Sequence, residues 1–530
     1  MSLIKNVGTI GGLTAVSRVF GFARDMLFAR LFGAGLAADA FQLAFTLPNT
    51  FRRLFAEGAF SVAFVPMYSA KLQGADGEAE AAHFANDVLS VFVWVLFGFS
   101  LLCIAGMEGI VWLLAREYQS VPGKYELSIT LSRITFPYLG LISLVALLSG
   151  ILNTRSRFGP GAVAPVLLNL CLISALSWGW YAGYSDAMKA FSQSWAVAAA
   201  GVLQLSFLWW SVRRAGVRLK LHWPKMTPDT RKLLWRIFPA TFGAGIYQLS
   251  QLADTFFATS LKQGSLTLLK MGDRLNQMPL GIVGIALGTA ILPTLSRHIA
   301  SKDERGAAKL QGRAIELATL LTLPSAFALA VCAPAFVSAF FVGGKFTQAD
   351  GLIMSQIVVA LVFGLPSYVM VKVLEPGYFS RGDVKTPVKT AATSLAFNIF
   401  LNLAVVRSFG IVGLAAATAC SASLNCLLLY ANLHRRGHFR FDWPLLSRVL
   451  RQLAASAVMA GVLWYLLQAT MPWYSGSIGQ RALGIVLLVG TGLAVYAVVA
   501  WTIGAVDKED LAILARRRSV KSIDEEIPGF

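Results

Sequence analysis

Charge is scarce in this chain: of 530 residues only 14% are Asp, Glu, Lys or Arg, against roughly 25% in soluble globular proteins. A conventional soluble surface is therefore excluded. Cysteine is sparse too. Cys103, Cys171, Cys332, Cys420 and Cys426 all fall in apolar runs, without CxxC or metal-ligand spacing, so neither a disulfide framework nor a metal module is expected. No GxxxxGK(S/T) loop occurs, which removes the usual nucleotide-phosphate cradle. Lys5 precedes a short apolar stretch with no small-residue cleavage site before Arg18, so a cleaved signal peptide is not expected.

What the chain has instead is hydrocarbon: 56% of its residues are hydrophobic. Runs such as 88–114 and 482–504 exceed the roughly 20 residues that cross ~30 Å of bilayer core. Hydropathy and loop-like breaks predict an all-α polytopic membrane protein. About fourteen spans are expected, centred near 20, 55, 100, 140, 170, 200, 245, 280, 325, 362, 397, 422, 458 and 492.

The net charge of +19 is distributed by topology. Connections after spans 4, 6, 8, 10 and 12, with the tail, carry twenty-eight Lys and Arg, from Arg155 to Lys521. Connections after spans 3, 5, 7, 9, 11 and 13 carry seven. The positive-inside rule then predicts cytoplasmic even connections and cytoplasmic termini. A nucleic-acid partner is dropped.

An internal duplication organises the spans. Pro137 and Asn169 lie 32 residues apart, as do Pro366 and Asn398, at an offset of 229. Pro66 and Pro293 repeat at offset 227. The expected plan is an N-terminal lobe (1–215), a cytoplasmic linker (216–227), a C-terminal lobe (228–437), two further spans (438–505) and a cytoplasmic tail (506–530). Two pseudo-symmetric six-helix lobes would flank a central cavity.

That cavity is expected to be cationic. In "SRVFGFARD" (17–25) a helical wheel at about 100° per residue gathers Ser17, Arg18, Gly21, Arg24 and Asp25 on one face. Phe20, Phe22, Val19 and Ala23 lie opposite. Intramembrane charge costs several kcal/mol unless paired or hydrated and defaults to function; structural ion pairing is the alternative. Arg52 falls about 20 Å into the second span by helical rise. Arg53 and Glu57, spaced i,i+4, are expected to neutralise each other, and Asp39 to pair with an arginine of span 1. Lys270, Asp273 and Arg274 interrupt span 8. Four arginines (Arg18, Arg24, Arg52, Arg274) against Asp25 and Asp39 favour a phosphate or carboxylate ligand. Asp254, Asn398, Asn402 and Thr418 form a second polar set suited to Na⁺, or to a proton on Asp254. Interhelical hydrogen bonding is the equal alternative there.

The stretches SRVFGFARD, DAFQLAFTLPNTFRRLFAEGAFSVAFVP, ITFPYLGLISL, GDRL, GKFT (344–347) and VLEPGYFSRGDVKTPVK (373–389) resemble the MurJ (MviN) family of the MOP exporter superfamily, essentially end to end. The resemblance implies a fourteen-span bacterial inner-membrane flippase of lipid II, undecaprenyl-diphosphate-MurNAc-pentapeptide-GlcNAc. It implies Arg18, Arg24, Arg52 and Arg274 as substrate ligands, with Ser17, Asp25, Asp39, Asn49, Arg53, Glu57 and Asp273 supporting or gating. It also implies a sodium site at Asp254, Asn398, Asn402 and Thr418, and a lipid-tail groove on spans 13 and 14. A monomer in phospholipid is expected, with cell-wall synthesis machinery as a possible partner and no resident cofactor. One departure is Met271-Gly272, where the family commonly has tyrosine and alanine.

Two alternatives belong to the same superfamily: a flippase for another polyprenyl-linked oligosaccharide, and a cation-coupled multidrug exporter. The second should line its cavity with acidic and aromatic groups rather than arginines. A membrane glycosyltransferase would need a paired base in an exposed loop. Glu117, Glu126, Asp186 and Asp350 are scattered singly, so no enzyme is expected.

Overall fold

The computed structural model describes residues 3–53, 60–74 and 77–506. Among these the chain is helical, and its only β pairing is an isolated bridge between Gly343 and Phe346. The helices are α1 (Leu3–Phe32), α2 (Leu36–Arg52), α3 (Phe60–Leu72), α4 (Gly77–Ala105), α5 (Met107–Ala115), α6 (Lys124–Thr135) and α7 (Tyr138–Thr154). They continue as α8 (Gly159–Tyr181), α9 (Asp186–Arg214), α10 (Pro228–Thr259), α11 (Ser265–Pro279), α12 (Ile285–Ala300) and α13 (Glu304–Phe340). The last are α14 (Gln348–Phe363), α15 (Leu365–Phe379), α16 (Lys385–Arg435), α17 (Trp443–Thr470) and α18 (Ile478–Thr502).

Among the described residues, nine helices are long and apolar enough to cross a membrane. They account for the expected spans 3–6 and 9–14, because α16 holds two of those spans. Gly410 breaks it with φ of 57°, a left-handed conformation that glycine adopts without a Cβ clash. The expected spans 1, 7 and 8 fall on α1, α10 and α11–α12, and the centre of span 2 lies outside the described residues. Helices α2, α3, α11 and α12, at 17, 13, 15 and 16 residues, are each too short to cross alone. The run 88–114 is not one helix. It divides at Gly106 into α4 and α5, where glycine and the following Glu108 interrupt the apolar repeat.

Several boundaries follow local chemistry. Ser185, Thr227, Asp442 and Ser477 accept hydrogen bonds from backbone amides three residues on, which satisfies one orphan donor each. Ser477 and Gln480 complete a capping box. The prolines of the duplication have matching local roles. Pro66 and Pro293 lie inside α3 and α12, while Pro137 and Pro366 sit at the starts of α7 and α15. There each divides a longer helical span, Lys124–Thr154 or Gln348–Phe379, into two segments.

The chain forms two compact units, each discontinuous in sequence. The first comprises Met1–Arg274, Phe340–Ile357 and Val388–Ser421. Small residues let its helices approach closely: a Cβ on Gly201 of α9 would lie 2.8 Å from Leu141 and 2.9 Å from Tyr138 of α7, the close packing that membrane helices use in place of a hydrophobic drive. Hydrogen bonds also cross between helices, as where Thr135 donates to the Ala44 carbonyl at 2.8 Å. The connection between the sequence halves lies along α4. The Lys220 amide donates to Asn86 Oδ1 at 2.8 Å and the His222 amide to Ser90 Oγ at 3.1 Å. Trp223 stacks on Trp94 with centroids 5.1 Å apart.

The second unit comprises Leu275–Ala339, Val358–Pro387 and Ala422–Phe530. In it α13, α17 and α18 share an apolar cluster that includes Cys332, Ala335, Met459, Leu463, Tyr474 and Leu488. A polar seam runs beside it. Arg448 donates to both Glu316 oxygens at 2.9 and 2.8 Å, and Thr319 donates to Gln452 at 2.6 Å. The loop after α15 is tied down by Asp383, which accepts from the Thr386 amide and hydroxyl and from Arg436.

Candidate functional site

The arginine cluster is built in the first unit from α1, α8 and α11. Arg24 donates through Nε and Nη2 to Asp25 Oδ1 at 3.0 and 2.6 Å. The other carboxylate oxygen of Asp25 lies 3.2 Å from Arg274 Nε. One carboxylate therefore holds two guanidiniums from helices about 250 residues apart in sequence. The third nitrogen of Arg24 donates to Asn169 Oδ1 at 3.0 Å, and Asn169 Nδ2 donates to the Ser17 carbonyl at 3.2 Å. Gly21 lies against this amide, where a Cβ would be in ordinary contact with Asn169 Nδ2 at 3.5 Å.

This geometry explains the polar face of SRVFGFARD. Ser17, Gly21, Arg24 and Asp25 meet α8 and α11 on one side, while Phe22 packs edge-on against Phe340 and Phe341. Arg18 is exposed and makes no hydrogen bond or ion pair with another described residue. Six residues before Arg24, it lies about 9 Å along the same helix. The Arg274 side chain is 42% exposed, so both arginines present donors outward.

Other expected site residues are placed differently. Asp39 does not pair with an arginine of α1. Its buried carboxylate takes Lys124 Nζ at 2.8 Å, the Gly264 amide at 2.7 Å, and the Thr267 amide and hydroxyl at 3.1 and 2.8 Å. Asp39 thus caps the start of α11 from another helix, where orphan amides favour a carboxylate. The reason is position: Asp39 lies in the first turn of α2, level with the α10–α11 turn. Arg52 ends α2, and Arg53 caps it, its amide donating to the Asn49 and Thr50 carbonyls. Glu57 lies outside the described residues. Asn49 donates to its own helix at Phe45.

Asp254, Asn398 and Asn402 are brought together, all buried. Asn402 Nδ2 donates to Asn398 Oδ1 at 2.9 Å and approaches Asp254 Oδ1 at 3.5 Å. Thr418 donates to the Leu414 carbonyl at 3.0 Å. Asn402 Oδ1 and Asn398 Nδ2 have no hydrogen-bond partner among the described residues. A buried carboxylate beside amide oxygens, one of them unsatisfied, is a donor set that fits a hard cation.

The GKFT stretch, where sequence reasoning assigned no role, clasps the end of α1. The Lys345 amide donates to the Arg30 carbonyl at 2.8 Å, and Lys345 Nζ donates to both Asp186 oxygens at 2.6 and 2.7 Å. Gly344 is left-handed with φ of 58°, and a Cβ there would overlap the Arg30 carbonyl.

Among the described residues the chain is a multi-pass helical membrane protein with two arginines gathered on one carboxylate. The family model described as "Lipid II flippase MurJ" matches residues 28–483. A protein of Rhizobium meliloti named "Probable lipid II flippase MurJ" is 39% identical, over 98% of this chain and 97% of its own length. One of Burkholderia cenocepacia named "Lipid II flippase MurJ" is 34% identical over 87% and 90%. Among solved structures, a "Lipid II flippase MurJ, inward closed conformation" superimposes with a TM-score of 0.75 at 24% identity, covering 93% of this chain and 97% of its own. A MATE multidrug transporter of the MOP superfamily does so at 0.64 and 13%, covering 80% and 95%. The chain belongs to the MurJ family.

Proposed function

We propose that this protein is a lipid II flippase, moving undecaprenyl-diphosphate-linked MurNAc-pentapeptide-GlcNAc from the cytoplasmic to the outer leaflet of a bacterial inner membrane by alternating access. The observation that carries it is the Asp25 carboxylate holding Arg24 and Arg274 together within the helical bundle. Two guanidiniums and one carboxylate leave a positive charge, and Arg18, exposed on the same helix, adds another. Guanidinium forks bind phosphate oxygens in pairs, so a diphosphate competes with Asp25 for both arginines. Asp25 pre-orients them and keeps the buried charge compensated until substrate arrives.

No bond is made or broken in this scheme. Fourteen spans in two lobes with cytoplasmic termini accord with the Lys and Arg asymmetry. The lipid tail stays in hydrocarbon while the headgroup crosses, and spans 13 and 14 supply its groove. Asp254, Asn398, Asn402 and Thr418 take Na⁺, or Asp254 takes a proton, to couple transport. The protein works as a monomer.

The test is depletion followed by a leaflet-specific assay of lipid II, complemented with Arg18→Ala, Arg24→Ala, Arg52→Ala or Arg274→Ala. Loss of outward lipid II in the Arg24 and Arg274 variants is expected. Wild-type transport in all four would overturn the diphosphate clamp. Sodium-independent transport that also tolerates Asp254→Ala would remove the ion site from the mechanism.

A further inference from the structure

The two polar clusters of the first unit are copies of one arrangement. Asp25 and Asp254 differ by 229 positions, and so do Asn169 and Asn398. In each copy the acid sits on one helix, α1 or α10, and the asparagine on another, α8 or α16. The copies have diverged at the residue before the acid: Arg24 in the first, Ala253 in the second. Where the first copy places the Arg24 guanidinium between carboxylate and amide, the second places the Asn402 amide there, donating to Asn398 Oδ1 at 2.9 Å and approaching Asp254 Oδ1 at 3.5 Å.

We infer that Asn169 is a positioning residue for Arg24, fixing its guanidinium in the acid–amide site that a neutral amide, Asn402, fills in the duplicated half. This inference rests on the proposed diphosphate clamp and adds a member to it. Two features make the assignment. Asn169 is only 7% exposed, so its Oδ1 is a dry acceptor at 3.0 Å from Arg24 Nη1. Its own orientation is locked from the other side by donation to the Ser17 carbonyl. Arg24 is thus held by two acceptors set by different helices, Asp25 from α1 and Asn169 from α8. Asp25 takes Nε and Nη2 and Asn169 takes Nη1; without Asn169 the Nη1 end of the guanidinium would lose its fixed acceptor. The neutral amide matters. A carboxylate in its place would compete with phosphate for the same fork.

The test measures lipid II binding by the full-length protein in nanodiscs, with apparent unfolding temperature recorded alongside. Asn169→Ala should weaken binding roughly tenfold, the scale of one hydrogen bond to a charged group. Asn169→Asp, which keeps shape and acceptor, should also weaken binding because of its added charge. In an Arg24→Ala background neither substitution should weaken binding further, since an effect exerted through Arg24 is not additive with its loss. The inference is overturned if Arg24→Ala weakens binding while both Asn169 variants bind within twofold of wild type. It is also overturned if the Asn169→Ala loss persists in full without Arg24, the signature of a purely structural role. If Arg24→Ala binds as wild type does, the clamp itself is wrong, a separate and recognisable failure.

Discussion

Lys124 Nζ and Asp39 Oδ2 lie 2.8 Å apart with both side chains 2% exposed. The ammonium also stands 3.8 Å over the Tyr118 ring. Removing one member of such a buried pair leaves the other charge without compensation, a cost of about 3–5 kcal/mol. Asp39→Asn should therefore lower the unfolding free energy by that order. The double variant Asp39→Asn with Lys124→Met should recover a substantial part of it. Equal losses in the single and double variants would show that the α11 cap, and not the ion pair, carries the stability.

The Lys345–Asp186 pair has similar distances and a different weight. Its side chains are 51% and 39% exposed, so solvent screens it, and such pairs contribute at most about 1 kcal/mol. Lys345→Ala should leave the unfolding transition nearly unchanged. A loss as large as that of Asp39→Asn would contradict this ranking.

Gly344→Ala should be costly where Lys345→Ala is not. The new Cβ would meet the Arg30 carbonyl while the backbone holds a left-handed φ, and strain of this kind costs on the order of 1–3 kcal/mol. Reduced transport with a lowered unfolding temperature is expected. Full activity at wild-type stability would show that the clasp on α1 is dispensable.

Asp383, in the loop between α15 and α16, sets a pH dependence. Burial acts to raise its carboxyl, but the Thr386 hydroxyl and amide and the Arg436 guanidinium outweigh that and pull it down to about 2. Its folded-state value lies below the ordinary one of about 3.9. Its contribution is therefore complete above about pH 5 and is lost as pH falls from 4 toward 2. The gap in unfolding temperature between wild type and Asp383→Asn should be constant from pH 5 to 7 and close below pH 4. A gap that keeps its full size at pH 2.5 would falsify the assignment.

Much of this was legible in the sequence for a physical reason: hydrocarbon length imposes long apolar helices, and spans 3–6 and 9–14 stand on length and composition alone. The polar face of SRVFGFARD was legible because helical periodicity places its charges together. The partners were not. Lys124 opens a helix 85 residues from Asp39, and nothing local marks it as a counterion. Asn169 read only as an anchor of the duplication, although its offset from Asn398 already held the clue that Asp25 and Asp254 complete. Gly106 looked like one more small residue in an apolar run, because a break inside hydrocarbon leaves the composition unchanged.

The strap from Lys220 to Trp223 along α4 bears on the order of assembly. Its docking groups, Asn86, Ser90 and Trp94, leave the ribosome more than a hundred residues earlier. The join between the halves can therefore be seated before the second half is synthesised. Insertion of the later helices then starts from an anchored end rather than a drifting one, which gives the first half the role of a template during biogenesis.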